Sequence, residues 1–296
     1  MEELHVDRRP ELRRPALVCA FRGWNDGGQG ASLAGSFLAR AWDATQFAEI
    51  DPELFFDFQA TRPHISFAEG RSRRIDWPEN NFFAASLPDA PRDVILLLGT
   101  EPSLRWRTFC GLIRDLALDL GVELVITLGS LLADVPHTRP APVTGNATDP
   151  DLVAELGLQA SRYEGPTGIV GALHDSCRTA GIPSASLWAA VPHYVSMTPS
   201  PRAAKALSER LADLLGVPLD TSDLDEASDA YMQQVSEAVA SDPETAAYVD
   251  DLEQRVDEVL SESDLPSGEA LAAELTRFLR ERDADDDAPD AARGDH

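Results

Sequence analysis

The stretch Val94-Ile95-Leu96-Leu97-Leu98-Gly99-Thr100 is apolar without alternation and stops at a glycine. A strand that exposes one face to water alternates apolar and polar residues, so a run like this belongs to a strand covered on both faces. The next segment has a different period. Trp106, Phe109, Ile113, Leu116 and Leu120 recur at spacings of three and four, which predicts a helix that Ser103 can cap and Gly121 stops. A second run, Val122-Glu123-Leu124-Val125-Ile126-Thr127-Leu128, ends at Gly129-Ser130. Strand, helix and strand in this order predict a βαβ unit and hence a parallel sheet.

Outward from this unit the same logic recurs. A strand near 16–21 precedes a helix that buries Ala34, Phe37, Leu38 and Ala41. Thr45–Phe58 reads as one or two strands broken at Asp51-Pro52, and two short segments flank Glu69-Gly70-Arg71 as a hairpin. A helix near 168–180 places Ile169, Leu173 and Cys177 inside and leads to a strand over Ser184–Ala190. The helix near 202–215 buries Leu207, Leu211 and Leu214. The fold class expected is α/β: three α/β/α layers around a mostly parallel sheet.

From Ser222 the pattern is purely helical. Leu224, Ala227, Tyr231 and Val235 form one stripe, Asp242-Pro243 starts a second helix with Tyr248, Leu252, Val256 and Val259, and Leu271, Leu275 and Phe278 mark a third. The organisation expected is a core domain over 1–219, a helical extension over 220–282 and a disordered acidic tail over 283–296.

Net charge is −26, but residues 220–296 hold 24 acids against 5 arginines while the rest of the chain is close to ordinary. This charge argues against nucleic acid or an anionic membrane as partner. No run approaches the roughly 18 apolar residues of a spanning helix. Met1-Glu2-Glu3-Leu4-His5 lacks the basic start of a secretory signal. Cys19, Cys110 and Cys177 stand far apart in apolar segments, as buried free thiols of a cytoplasmic protein do. Lys205 is the only lysine, which excludes most lysine-dependent chemistry.

Phe21-Arg22-Gly23-Trp24-Asn25-Asp26-Gly27-Gly28-Gln29-Gly30 joins the first strand to its helix. The spacing is neither the Rossmann fingerprint nor a P-loop. Asp26 can cap the helix, with Gln29 completing a capping box, or the helix amides can hold an anion with Arg22. Pro136-His137-Thr138-Arg139-Pro140 comes after the strand ending at Gly129, where open α/β sheets gather ligands; it is either an anion-binding group or a rigid loop. Tyr163-Glu164-Gly165-Pro166-Thr167-Gly168 is a Gly-Pro turn that can present Glu164 and Thr167. Glu101, Trp188 and His193 complete a possible ring. No histidine shows metal-ligand spacing and no nucleophile elbow is present, so no catalytic residue, metal or cofactor is expected.

Six blocks stand in a fixed order: Phe21–Gly28, Gly99-Thr100-Glu101-Pro102-Ser103-Leu104-Arg105-Trp106, Leu128–Asp134, Pro136–Pro140, Tyr163–Gly168 and Ser186–Tyr194. Together they resemble the proteasome assembly chaperone 2 family in its bacterial and archaeal branch, over roughly residues 15–215. The resemblance implies a fold similar to nucleoside phosphorylases, self-association with trimers the expected form, and proteasome α subunits as partner. Eukaryotic members use a C-terminal hydrophobic–tyrosine–any-residue tail; here the chain reads Ala292-Arg293-Gly294-Asp295-His296.

Two functions are compatible with these residues. The first is a non-enzymatic, homo-oligomeric, protein-binding chaperone, which predicts an exposed apolar patch away from the strand-end edge. The second is a small-molecule-binding protein or enzyme with an anionic or nucleoside-like ligand. It predicts a polar pocket built from Arg22, Asn25, Asp26, Glu101, His137, Arg139, Glu164 and His193, with a histidine titrating near neutrality. A third reading makes these residues, with Trp24, Thr167 and Trp188, a subunit interface.

Overall fold

The computed structural model describes residues 3–68, 72–147, 149–160 and 163–261. Along the chain, β1 (Leu4–Val6) and β2 (Ala16–Arg22) lead to helix α1 (Gly30–Ala41). Strand β3 (Thr45–Ile50) and the paired β4 (His64–Ala68) and β5 (Ser72–Asp76) precede β6 (Asn80–Ala85). Helix α2 (Trp106–Asp119) connects β7 (Val94–Thr100) to β8 (Leu124–Ala133). Next come β9 (Val143–Ala147), α3 (Pro150–Leu156), β10 (Gln159–Ala160) and α4 (Ile169–Thr179). Strand β11 (Ser184–Pro192), α5 (Pro201–Leu215), α6 (Ser222–Ala240) and α7 (Pro243–Ser261) complete the order.

Nine strands form one sheet in the order β1-β3-β6-β7-β2-β8-β11-β9-β10. The four at its centre, β7-β2-β8-β11, run parallel. Antiparallel β6, β3 and β1 extend one side, and β9 pairs antiparallel with β11 on the other. Alternate residues of the central strands enter two different cores. Ala16, Val18 and Ala20 of β2 join Leu96, Ile126 and Leu187 beneath α1 and α5. Leu17, Cys19 and Phe21 join Ile95, Leu97 and Val125 beneath α2 and α4. Full burial of each large side chain stabilises by about 1.5–3 kcal/mol, so a polar substitution on either face is costly. This is the three-layer arrangement the apolar runs predict.

The helices largely keep to the predicted stripes, with corrections at their ends. Helix α2 starts from Arg105 in a left-handed conformation (φ 55°), so Ser103 does not cap it. Ala41 is exposed, and the neighbouring Trp42 is buried instead. On α6, Ser228 takes the inward place expected of Ala227; on α7, Val249 and Leu252 are buried while Tyr248 sits at the rim. The predicted third helix with Leu271, Leu275 and Phe278, the tail over 283–296 and Glu69-Gly70-Arg71 lie outside the described residues. Among the described residues no helix is long and apolar enough to cross a membrane, and the three cysteines are buried free thiols.

Strands β4 and β5 pair with each other outside the main sheet. Ile65 lies opposite Ile75, and Phe67 opposite Arg73, so Ile65, Phe67 and Ile75 share one face. That face is open to solvent: Ile65 is 62% exposed, Phe67 64% and Ile75 52%. Trp77 continues it and meets Phe58 edge-on, with ring centroids 4.8 Å apart.

The half-buried His174 of α4 ties that helix to the sheet. Its Nε2 lies 3.0 Å from the Thr127 hydroxyl on β8 and its Nδ1 2.9 Å from the Ser184 hydroxyl on β11. Burial pulls the His174 pKa down to about 4. The ring therefore binds its proton more weakly folded than unfolded. Its contribution to stability is fully present above about pH 6.5 and is lost as pH falls towards 4. Urea unfolding at about pH 7 and about pH 4.5 is expected to show wild type losing about 2–3 kcal/mol more than His174→Gln. Equal losses in the two proteins would remove His174 from the acid response.

Candidate functional site

The predicted site residues fall into two sets, each bonded mainly to the protein itself. The first surrounds the carboxyl ends of β2 and β7. Phe21, the last buried residue of β2, packs on Phe109 of α2, which also meets Phe55 edge-on. The chain then leaves the sheet through Arg22, which is exposed, and turns at Gly23 (φ 136°). A side chain at Gly23 would place its Cβ 2.9 Å from Cβ of Glu101, so the turn needs glycine for both conformation and space.

Glu101 joins three of the sequence blocks. Its Oε2 accepts from the Trp24 backbone N–H at 3.1 Å, and its Oε1 accepts from the Ile169 N–H at 2.8 Å, on the first turn of α4. Its own N–H donates to the Arg22 carbonyl at 2.8 Å. Gly168 lies between these groups: a Cβ there would sit 2.5 Å from Asn25 Nδ2 and 2.8 Å from Glu101 Oε1. A carboxylate at a helix N-terminus answers unpaired amides and the positive end of the helix dipole. Glu101 does this for α4 from the end of β7. Trp24 is partly exposed beside it, and Glu164 and Thr167 stand in solvent.

Asp26 serves α1 in the same way. Its Oδ1 accepts from the Ala31 N–H at 2.9 Å and the Ser32 N–H at 3.1 Å, and receives the Ser130 hydroxyl at 3.4 Å. Burial raises the Asp26 pKa against the lowering effect of these bonds. The amides where an external anion would bind are thus taken by the protein's own carboxylate. Gln29 sits at φ 53° with no side-chain capping bond, so the expected capping box does not form. The loop is pinned to β8, where Ser130 N–H donates to the Asn25 carbonyl at 3.0 Å. Trp188 lies across Gly129 of β8, where an added Cβ would fall 2.4 Å from its ring; it is a packing residue of the sheet.

The second set lies beyond β8, under α6 and α7. His137 is buried. Its N–H donates to the Tyr194 hydroxyl oxygen at 2.7 Å, that hydroxyl reaches His137 Nδ1 at 2.9 Å, and Nε2 faces the Ser236 hydroxyl of α6 at 3.0 Å. The Tyr194 hydroxyl thus bridges the His137 backbone N–H and Nδ1, and the ring is hydrogen-bonded at both nitrogens. Burial lowers the His137 pKa, Glu253 opposes that and Arg202 reinforces it. Arg139 grips Asp257 of α7 through Nε at 3.0 Å and Nη2 at 2.7 Å, and Thr138 donates to Glu253. His193 Nδ1 lies 3.0 Å from Asp134 Oδ1, which also accepts from the Tyr248 hydroxyl at 2.9 Å.

The expected single ring is therefore two separate networks, one committed to the amides of α1 and α4 and the other to α6 and α7. The β4–β5 pair that carries the exposed apolar face connects through residues 77–79 to Asn80, which pairs with Gly99 at the end of β7. Among the described residues no cluster of histidine, cysteine and carboxylate side chains could hold a metal.

The role of Glu101 is tested by stability. Glu101→Ala leaves the Trp24 and Ile169 amides without their acceptor and is expected to cost about 2 kcal/mol in urea unfolding. Glu101→Gln, which keeps one acceptor oxygen, should cost less. An unchanged midpoint in both variants would show that the carboxylate is not a structural staple.

Comparison with known proteins gives this architecture its relatives. A family model described as the PAC2 family matches residues 20–239. The structure of a PAC2 family protein from Streptomyces avermitilis is 46% identical, with a TM-score of 0.74 over 79% of this chain and 99% of that one. A proteasome-assembly chaperone homologue from Mycobacterium tuberculosis is 44% identical, with a TM-score of 0.72 and the same coverage of 79% and 99%. A second protein of that organism, of unknown function, is 29% identical with a TM-score of 0.79 over 88% of this chain and 92% of its own. No curated protein matches significantly. With its six sequence blocks folded into these loops and strand ends and a family match across 20–239, this chain belongs to the PAC2 family.

Proposed function

We propose that this protein is a non-enzymatic, homo-oligomeric chaperone of the proteasome-assembly type that works by binding other proteins, with proteasome α subunits as its partner. The observation that carries the reading is a contrast between polar and apolar surface. Glu101 and Oδ1 of Asp26 are spent on the chain's own amides, and His137 and Arg139 on α6 and α7, whereas Ile65, Phe67 and Ile75 on the β4–β5 pair stand exposed on one face. Arg73, 5.9 Å from the Phe67 ring, gives the patch a charged border, while Arg74 and Asp76 pair on the opposite face. Exposed apolar surface with such a border is the usual mark of a protein contact site.

The M. tuberculosis relative supports the partner class, since it is described as a proteasome-assembly chaperone homologue and is 44% identical. Buried free thiols agree with a cytoplasmic setting. In this reading residues 1–219 are the working domain, residues from 220 form an accessory extension, and the assembled form is a trimer.

The test is direct capture of purified proteasome α subunits, read by native gel and by sedimentation mass. Wild type is expected to run at three times its 32.1 kDa chain mass and to retain α subunits at micromolar concentration. The double variant Phe67→Asp, Ile75→Asp changes only exposed side chains, so its melting temperature should hold while capture drops at least about tenfold. No capture by wild type well above micromolar concentration would sink the proteasome reading. Unimpaired capture by the double variant would move the contact elsewhere on the surface.

A further inference from the structure

In a chain with 51 acids and 25 bases, a surface arginine is expected to find a carboxylate beside it. Arg13 finds Asp93, Arg14 finds Glu123 and Arg139 finds Asp257. Arg22, Arg105 and Arg107 form no ion pair among the described residues. All three are exposed and stand at the carboxyl ends of two neighbouring strands. Arg22 closes β2, while Arg105 and Arg107 lie at the start of α2, directly after β7. Glu101 and Asp26 are the carboxylates nearest to them in sequence. Both are turned towards backbone amides and leave this charge unanswered.

Apolar side chains stand among these cations. Trp24 is 39% exposed and Leu104 48%. Their loops are tied together, since the Trp24 N–H donates to Glu101, three residues before Leu104. The face therefore joins exposed apolar surface to unpaired positive charge, and its complement is an apolar and acidic segment.

The chain holds such a segment. Residues 262–296, beyond the described residues, carry eleven acids against four arginines. Leu275, Phe278 and Leu279 are followed by Asp283-Ala284-Asp285-Asp286-Asp287-Ala288-Pro289-Asp290, a run with five acids and no base. Its point of departure is close to the face. Asp257 of α7 is bonded to Arg139, on the loop after β8. Strand β8 adjoins β2, which adjoins β7. Two strand spacings, about 10 Å, thus separate the ends of β8 and β7. Seventeen residues lead from Ser261 to Phe278, a length that spans about 20 Å even as a plain coil. A segment tethered in this way is present at an effective concentration on the order of millimolar. A separate polyanion must instead approach a chain of net charge −26.

We infer that residues 262–296 dock in cis on the face made by Arg22, Trp24, Leu104, Arg105 and Arg107. The acidic run meets the arginines, and Leu275, Phe278 and Leu279 meet Trp24 and Leu104. Exposed ion pairs are weak one at a time and are screened by salt, so this cover opens as ionic strength rises. Another protein reaches the strand-end face only by displacing it. The cover is separate from the α-subunit contact proposed on the β4–β5 pair.

The test uses the full-length chain with a nitroxide on Ala288→Cys, the native cysteines being buried. The readout is the NMR intensity of the tryptophan indole N–H groups. At low salt the Trp24 signal is expected to lose at least about half its intensity, because a millimolar effective concentration keeps the cover mostly closed. Trp42, at the other end of α1 with its indole on the Pro218 carbonyl, should keep its intensity. Salt at about 0.5 M, where the screening length is about 4 Å, should restore the Trp24 signal. So should Arg22→Glu with Arg107→Glu, and so should Asp285→Arg, Asp286→Arg, Asp287→Arg, which lies outside the described fold. Combining the two sets of reversals should bring the loss back. No loss at Trp24, or an equal loss at Trp42, would overturn the cover. A loss that survives both sets of reversals made separately would overturn the arginine seat. Isotope-labelled chain without nitroxide is then mixed with unlabelled chain that carries it. A loss at Trp24 in that mixture would assign the segment to a second copy and overturn the cis arrangement. No sample contains a proteasome subunit, so a failure here is distinguishable from a failure of α-subunit capture.

Discussion

The parallel centre of the sheet creates a need that shapes the rest of the molecule: buried backbone amides at its carboxyl ends require acceptors. Where β2 and β7 end, the chain turns into helices whose first amides have no partner of their own. Glu101 supplies one acceptor for α4 and Asp26 supplies another for α1. Neither carboxylate is the residue directly before the helix it caps. Glu101 comes from the end of another strand, and Asp26 bends back over the Gly27–Gln29 turn, so the loops must approach one another closely. Gly23 and Gly168 stand where any side chain would strike Glu101 or Asn25. The glycines, the carboxylates and the loop order are thus one solution to one constraint.

The same accounting explains why polar motif residues need not imply catalysis. A carboxylate shared by two backbone amides is already committed as an acceptor, and a histidine hydrogen-bonded at both nitrogens is already held by groups of its own chain. Glu101 and His137 are in those conditions. Their residue types resemble those of an active site because both settings call for directional hydrogen bonding in partly buried surroundings. What differs is whether the partners lie inside the chain.

Legibility in the sequence tracks the physics of each element. The strands buried on both faces are plain, because Val94–Leu98 has no alternative home. Helix α3 is hard to read although Asp149-Pro150 carries the same cap-and-proline start as Asp242-Pro243; with seven residues it offers too little apolar period to register. Strand β6 is hidden because Asn80-Asn81 looks like a turn, yet Asn80 opens a strand against Gly99. The candidate site is legible as a set of residues and not as an arrangement. Nothing local in Pro136–Pro140 says that its histidine and arginine face acidic helices about a hundred residues later in the chain. Opposite charge is the available signal, in the form of one arginine in a motif and a surplus of acids in the extension.

That surplus has a further consequence for how the chain is put together. A core that is itself net acidic, with 27 acids against 20 bases over residues 1–219, has little reason to hold helices as acidic as α6 and α7, and each contact must be strong enough to offset their mutual repulsion. Helix α6 meets this with four buried residues, Leu224, Ser228, Tyr231 and Val235, and with Lys205, the chain's single lysine, paired to Asp225. Helix α7 meets it with buried Val249 and Leu252, with Tyr248 edge-on to His193 and Tyr194, and with Arg139 paired to Asp257. Both helices are anchored by buried side chains, and each adds an ion pair to the core, Lys205 with Asp225 on α6 and Arg139 with Asp257 on α7. Packing contacts are slow to open and insensitive to salt, whereas exposed ion pairs open readily and are screened. The last described helix therefore combines buried packing with ion pairs that salt screens, and it lies on the loop where His137 and Arg139 stand.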